Sequence, residues 1–381
     1  LERGQLVALL DPASSGLKLR AKQIILSKII FLLSSILKAI FFEQHGELEV
    51  LKYADIPEPR PLSGQALIKV KACALNHLDI WVRKGWEGLQ LGFPHVGGAD
   101  VAGEVVAVSD PNKQFSFAPG SKVIINPGII SADDEFTRRG EDSLSPGYKI
   151  LGEQIKGGMA EYVVVPTENV YKLPDGWSFE EGASPLLVGT TCWRMLFNRG
   201  NLRAGETVLI VGAGGGVNSL AISFAKAAGA TVLVLAGDNN KLKLAEQLGA
   251  EFVVNYKEKT NWHLDVLKYT KGRGVDLIVD NVGAKTFPMS IRALRRGGRL
   301  VTVGNTSGHD LKLDNRLIFT KQISIIGSTM GSRQDFQDAI SFMIKHKIRA
   351  VIDRVEPLKK GIDMLAYLES GKQFGKVVLS T

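Results

Sequence analysis

The stretch VLIVGAGGGVNSLAISFAKAAGA, residues 208–230, constrains the fold more than any other part of the chain. An apolar run enters Gly212-Ala213-Gly214-Gly215-Gly216 and continues as an apolar helical pattern. Glycine is needed there for two reasons. The chain must turn sharply from strand to helix, and its N–H groups must come close enough to hold a pyrophosphate with the helix N-terminus. Gly212, Gly214, Gly215, Gly216 and Val217 are therefore candidate contacts to a dinucleotide. A third glycine, where helix and strand pack, is expected at the position of Asn218. Its side chain is expected to alter or weaken binding.

The flanking sequence agrees with this reading. TVLVLAG, EFVVNY, VDLIVDNVG, RLVTVG and ISIIGS are strand-like, and helical patterns over 217–228, 240–248, 261–270 and 285–295 alternate with them. Continuous apolar strands between helices predict an α/β fold, a doubly wound parallel sheet covered on both faces. Ligands lie at the carboxyl ends of such strands, which adds Gly237, Asn281, Gly283, Gly304 and Asn305 as candidates. An NAD site places a carboxylate at the end of the second strand, on the ribose hydroxyl. Here that strand ends in Ala236-Gly237, Asp238 comes two positions late, and Lys241 follows. A cation without the carboxylate favours NADP over NAD. Alternatively, Asp238 is a helix cap and Lys241 a solvated helix residue.

Residues 37–177 are β-rich, with a polar excursion over 129–149, and the tail 332–381 carries two helical patterns and a final strand, KVVLS. Cys73 and Cys192 are too few for a disulfide scaffold or a multi-cysteine zinc site, and a reducing, cytoplasmic setting is the simpler reading. The net charge of +8 comes from scattered basic residues. It suits an anionic nucleotide and gives no basic stripe for nucleic acid. The apolar run over 23–42 is broken by Lys28 and Lys38. Residues 1–36 read as an appendage, with an interfacial or membrane anchor and a signal peptide as alternatives.

From Leu37 onward the chain resembles the medium-chain dehydrogenase/reductase superfamily, closest in kind to its zinc-free quinone oxidoreductase branch. LKAIFFEQHGELEVLKYADIPEPRP, ACALNHLDIWVRKG, PHVGGADVAGEVVAV, GGMAEYVVVP, VGTTCWRML, VLIVGAGGGV, DLIVDNVG, GGRLVTVG and FGKVVLS carry the resemblance, in family order. It implies a GroES-like substrate domain (37–177 and 332–381) split around a Rossmann dinucleotide-binding domain (178–331), with the active cleft between them. It also implies pairing of two copies through the strand ISIIGS. Leu37 stands where the family has its initiator Met, in keeping with the appendage reading.

The resemblance also identifies what is changed. The catalytic zinc ligands of the family's alcohol dehydrogenases correspond to Asn76, Ala99 and Leu187, with Asp100 in place of a Glu. Its structural zinc cysteines correspond to Ser131, Asp134, Thr137 and Ser145. Neither set is expected to bind zinc. Asn76 becomes the candidate hydrogen-bond donor to the substrate oxygen, His77 a candidate proton donor or relay, and Asp79 the residue that orients them or caps the helix. Trp81 replaces a family Tyr, and with Trp86 it either lines an apolar pocket or is buried packing. Thr191, Tyr256 and Lys376 match family positions near the cofactor. The expected function is zinc-independent, NADPH-dependent reduction of a quinone or α,β-unsaturated carbonyl. A metal-free carbonyl reductase is one alternative, and a non-enzymatic nucleotide- or RNA-binding descendant is the other.

Overall fold

The computed structural model describes residues 36–110 and 115–381. The appendage expected over 1–36 falls almost wholly outside them. Six parallel strands form one sheet in the order Phe252–Asn255, Thr231–Ala236, Thr207–Val211, Val275–Asp280, Leu294–Thr302, Ser324–Gly327. The central strands are uniformly apolar because helices cover both faces, and Val208 to Val211 and Val232 to Leu235 are fully buried. The chain builds outward from Thr207–Val211 in one direction and then returns to build from its other side. The sheet therefore reverses order at the strand that feeds the glycine turn, the place where doubly wound sheets bind ligands.

A seven-stranded sheet holds Val170–Lys172, Lys122–Ile125, Asp100–Ser109, Gln65–Ala74, Lys376–Ser380 and Ile352–Pro357 in order, with Tyr162–Pro166 also on Gln65–Ala74. Its connection to the site lies in the C-terminal strand. Val378 pairs with Ala74, and Leu75 N–H donates to Val377 at 2.8 Å. That register brings Lys376 back beside Asn76. A smaller sheet joins Ile36–Phe42 to Lys52–Pro57 and His95–Val96.

The two units meet through named bonds. Gly375 N–H donates to the Gly214 carbonyl at 2.9 Å, and Leu187 N–H donates to Asp100 Oδ1 at 2.7 Å. Helix Arg333–His346 buries Phe336, Ala339 and Met343 at helical spacing. That apolar face packs on helix Leu186–Trp193, across the boundary expected at 331/332. The excursion over 129–149 is a small ordered lobe, in which Gly128–Ile130 pairs with Tyr148–Ile150 around a short helix, Glu135–Arg138. No helix among the described residues is long and apolar enough to cross a membrane.

Candidate active site

At the glycine turn Gly212 has φ of +91°, a conformation that side-chain-bearing residues rarely adopt. Gly215 is the extended N-cap of helix Gly216–Ala227, and space around it is open. A Cβ on Gly214 would lie 2.7 Å from Lys241 Nζ, and one on Gly216 would lie 2.8 Å from Lys376 Cδ. Two lysines thus crowd the turn, and a side chain at either glycine would have to displace their flexible stems. The N–H groups at the helix start have no partner within the helix, and with the Lys241 ammonium alongside they suit the chemistry of a pyrophosphate.

Asn218 does not project into this space. Its Nδ2 donates to the carbonyls of Val211 and Gly212, both at 2.9 Å, and its Oδ1 accepts from Asn281 Nδ2 at 2.9 Å. Asn281 Oδ1 in turn accepts the Val303 N–H. The residue in the third glycine's place therefore ties the turn to two further strand ends. Gly283, with φ of +93°, packs against Asn305 and Gly308, and Gly304 approaches Asn281, so these candidates share one rim.

At the next strand end Tyr256 covers Gly237, with its hydroxyl 2.8 Å from where a Cβ would stand. Asp238 caps helix Asn239–Gln247, accepting the N–H groups of Asn240 and Lys241, which agrees with the alternative reading of that residue. Lys241 is no free surface lysine. Its Nζ donates to the Gly371 carbonyl at 2.8 Å, and burial, reinforced by the nearby Lys257 charge, holds its pKa below the ordinary lysine value. Lys257, whose Cε also lies against Gly237, escaped the sequence reading. Its signal was its place beside Tyr256 at a neighbouring strand end.

The catalytic candidates form a buried cluster. Asn76 Nδ2 donates to Asp100 Oδ2 at 3.0 Å and to the Ala74 carbonyl at 3.4 Å, and Asn76 Oδ1 accepts from Lys376 Nζ at 2.5 Å. Lys376 also pairs with Asp100 Oδ2 at 2.9 Å, the side chains being 3% and 0% exposed. The lysine assigned to the cofactor from sequence thus places its head on Asn76 and Asp100 and its stem on Gly216. Asp79 accepts the Asn76 and Gly98 N–H groups at 2.7 and 2.9 Å, so it positions Asn76 through the backbone as part of a helix cap. Burial raises its pKa to about 6. Burial, followed by the Lys376 charge, lowers the pKa of His77, which favours the neutral ring. Thr191 is buried and its hydroxyl donates to the Leu187 carbonyl at 2.8 Å. Trp81 and Trp86 are 42% and 44% exposed, which overturns the buried-packing reading.

The residues present do not fit zinc. Only Asp100 at the four catalytic positions has ordinary zinc-ligand chemistry, and both its oxygens are engaged by Leu187, Asn76 and Lys376. A metal ion there would face a buried ammonium. Among the described residues, no group of three or more His, Cys, Asp or Glu side chains is placed to hold a metal. At the second set, Ser145 Oγ donates to Asp134 Oδ2 at 2.6 Å, and Asp134 Oδ1 accepts the N–H groups of Phe136 and Thr137. Ser131 Oγ donates to the Gly147 carbonyl. Hydrogen bonds thus tie the lobe at the four structural positions.

Comparisons with known proteins agree with this architecture. Residues 62–175 match the alcohol dehydrogenase GroES-like domain family, and residues 216–345 match the zinc-binding dehydrogenase family. An NAD-dependent alcohol dehydrogenase of Sulfolobus acidocaldarius is 34% identical over 90% of this chain and 99% of its own length. A quinone oxidoreductase of Mus musculus is 30% identical over 90% of this chain and 98% of its own. A solved structure described as an NAD-dependent alcohol dehydrogenase superposes with a TM-score of 0.86 at 41% identity, covering 90% of this chain and 99% of that one. With its glycine turn, its reversal of strand order at Thr207–Val211 and both matched domains, the chain belongs to the medium-chain dehydrogenase/reductase superfamily, as an NAD(P)-dependent oxidoreductase.

Proposed function

We propose that this oxidoreductase uses NADPH to reduce a quinone or an α,β-unsaturated carbonyl without zinc. The observation that carries the reading is the Asn76–Asp100–Lys376 cluster, which puts a buried, paired cation where alcohol dehydrogenases of the superfamily hold catalytic zinc. Reduction of an unactivated carbonyl demands strong polarisation of its oxygen, whereas conjugation in quinones and enones already spreads the developing charge. A fixed ammonium suits that smaller demand.

The nucleotide, when bound, supplies the hydride. The protein binds and orients it. The N–H groups of Gly214, Gly215, Gly216 and Val217 are assigned to the pyrophosphate, with Gly212 making the turn that presents them. Tyr256 is assigned to cover the adenosine end over Gly237, with Lys241 and Lys257 as cations for a 2′-phosphate. Thr191 and the Asn281, Gly283, Gly304 and Asn305 rim are assigned to the nicotinamide half. The free edge of Ser324–Gly327, where Ile325 is 40% exposed, is the proposed pairing edge for a second copy.

The test is fluorescence titration with NADPH and NADH in EDTA, followed by turnover with quinones, enones and simple aldehydes. NADPH preference and EDTA-resistant reduction of quinones or enones support the reading. Activity on simple aldehydes but not quinones would replace it with carbonyl reduction, and loss of activity in EDTA would refute the zinc-free assignment.

A further inference from the structure

Asn76 is the obvious donor in a metal-free site, but its hydrogens are already committed. The neighbours fix the orientation of its amide. The oxygen must face the Lys376 ammonium, which has only hydrogens to give, and the NH2 must face the Asp100 carboxylate, which accepts. Both Nδ2 hydrogens are then in use, one on Asp100 and one, at longer range, on the Ala74 carbonyl.

Lys376 has a different balance. An ammonium carries three donors. One goes to Asn76 Oδ1 and one to Asp100 Oδ2, and among the described residues no third acceptor lies within hydrogen-bond distance of Nζ. Asp100 is itself held by the Leu187 N–H, and Asn76 by the Asp79 carboxylate through its backbone. The lysine stem lies on Gly216 at the start of the nucleotide-binding helix. The unspent donor thus sits at a rigid, charged centre next to the place where the nucleotide must lie.

We infer that Lys376, and not Asn76, is the electrophilic group of this enzyme, donating its third N–H to the substrate oxygen on which negative charge develops. This rests on the function proposed above. In that reaction a hydride from the reduced nicotinamide forms a C–H bond at the β-carbon of an enone. The C=C electron pair shifts to make the enolate, whose oxygen takes the Lys376 hydrogen bond. A proton from solvent then completes the saturated carbonyl at the α-carbon, leaving the nicotinamide oxidised. Lys376 is a catalytic residue that keeps its proton, and Asn76, Asp100 and Asp79 are positioning residues.

The experiment compares the wild type with Lys376→Met, Lys376→Arg and Asp100→Asn/Lys376→Met in the full chain. Two quantities are measured: the NADPH dissociation constant by fluorescence, and kcat with an enone or quinone that the wild type reduces. The double variant removes the carboxylate that Lys376→Met would leave unpaired, and so guards against a folding failure. Loss of one preorganised donor to a developing oxyanion lowers kcat by about 10²–10³-fold. The expected result is a loss of that size in both Met variants, with the NADPH dissociation constant changed by less than about threefold, and substantial rescue by Arg. Retention of kcat within about threefold in the double variant overturns the inference. So does a loss that lies wholly in NADPH affinity, because Lys376 would then be a nucleotide anchor. A wild type that binds NADPH but reduces no quinone or enone fells the functional reading itself, and this inference with it.

Discussion

Replacing Lys241 by Ala separates a 2′-phosphate contact from a general role at the glycine turn. Lys241 Nζ lies against Gly214, its one acceptor among the described residues is the Gly371 carbonyl at 2.8 Å, and Lys257 approaches Gly237. A hydrogen bond between charged partners contributes about 1.5–3 kcal/mol net. Lys241 is half-buried, so screening is incomplete, but Lys257 remains in the variant to hold part of the charge. A loss of about 2 kcal/mol is therefore expected, which corresponds to roughly 30-fold in the NADPH dissociation constant. NADH lacks the phosphate and should weaken by less than about threefold. The assay is fluorescence titration of both nucleotides at several salt concentrations. The slope of NADPH affinity against salt should become shallower in the variant as well. Equal weakening of NADPH and NADH would place Lys241 on the shared pyrophosphate and refute the 2′-phosphate assignment. No change in either would reduce it to a brace on Gly371.

Two further outcomes follow from buried side chains. Asn218→Gly, which installs the glycine that the spacing leads one to expect, removes the hydrogen bonds to Val211, Gly212 and Asn281 and places a flexible residue in the helix. It should cost about 2–3 kcal/mol in urea unfolding without improving NADPH binding; a tenfold gain in affinity at unchanged stability would mean that Asn218 obstructs the site. Asp79 has its pKa raised by burial from 3.8 to about 6. Between those values the folded chain holds a proton that the unfolded chain has released, so this group's contribution to stability falls as pH rises through that window. Melts from pH 4 to pH 7 should therefore show Asp79→Asn gaining on the wild type by about 2–3 kcal/mol, and parallel curves would contradict a raised carboxyl.

The parts of this protein that could be read in its sequence are those set by local spacing. Apolar runs such as TVLIV and TVLVL are continuous because both faces of their sheet are covered, and the glycine turn between strand and helix has few other uses. Asn76, Asp79 and Asp100 were recognisable as positions, but the direction of the Asn76 amide was not. That direction depends on Lys376, which lies 300 residues away and arrives by the pairing of the last strand with Gln65–Ala74. Lys257 was missed for a related reason. Adjacent strand ends of a parallel sheet meet in space, and the approach of Lys257 to Gly237 follows from the pairing of Ala236 with Asn255. The apolar face of helix Arg333–His346 shows in the sequence that it is buried without showing that it meets helix Leu186–Trp193.

The hydrogen-bonded lobe around Asp134 bears on the environments in which such a chain can persist. A lobe closed by four thiolates on a metal is sensitive to oxidants, which attack the sulfur, and to chelators, which take the ion. Here a carboxylate knotted to Ser145, Phe136 and Thr137 offers neither target. The two cysteines of the chain are buried elsewhere, and burial raises both thiol pKa values, so little reactive thiolate forms. The quinones proposed above as substrates would bring redox-cycling, thiol-reactive molecules as ordinary traffic. Stabilising the lobe with oxygen and nitrogen donors makes its folded state indifferent both to that traffic and to the supply of zinc.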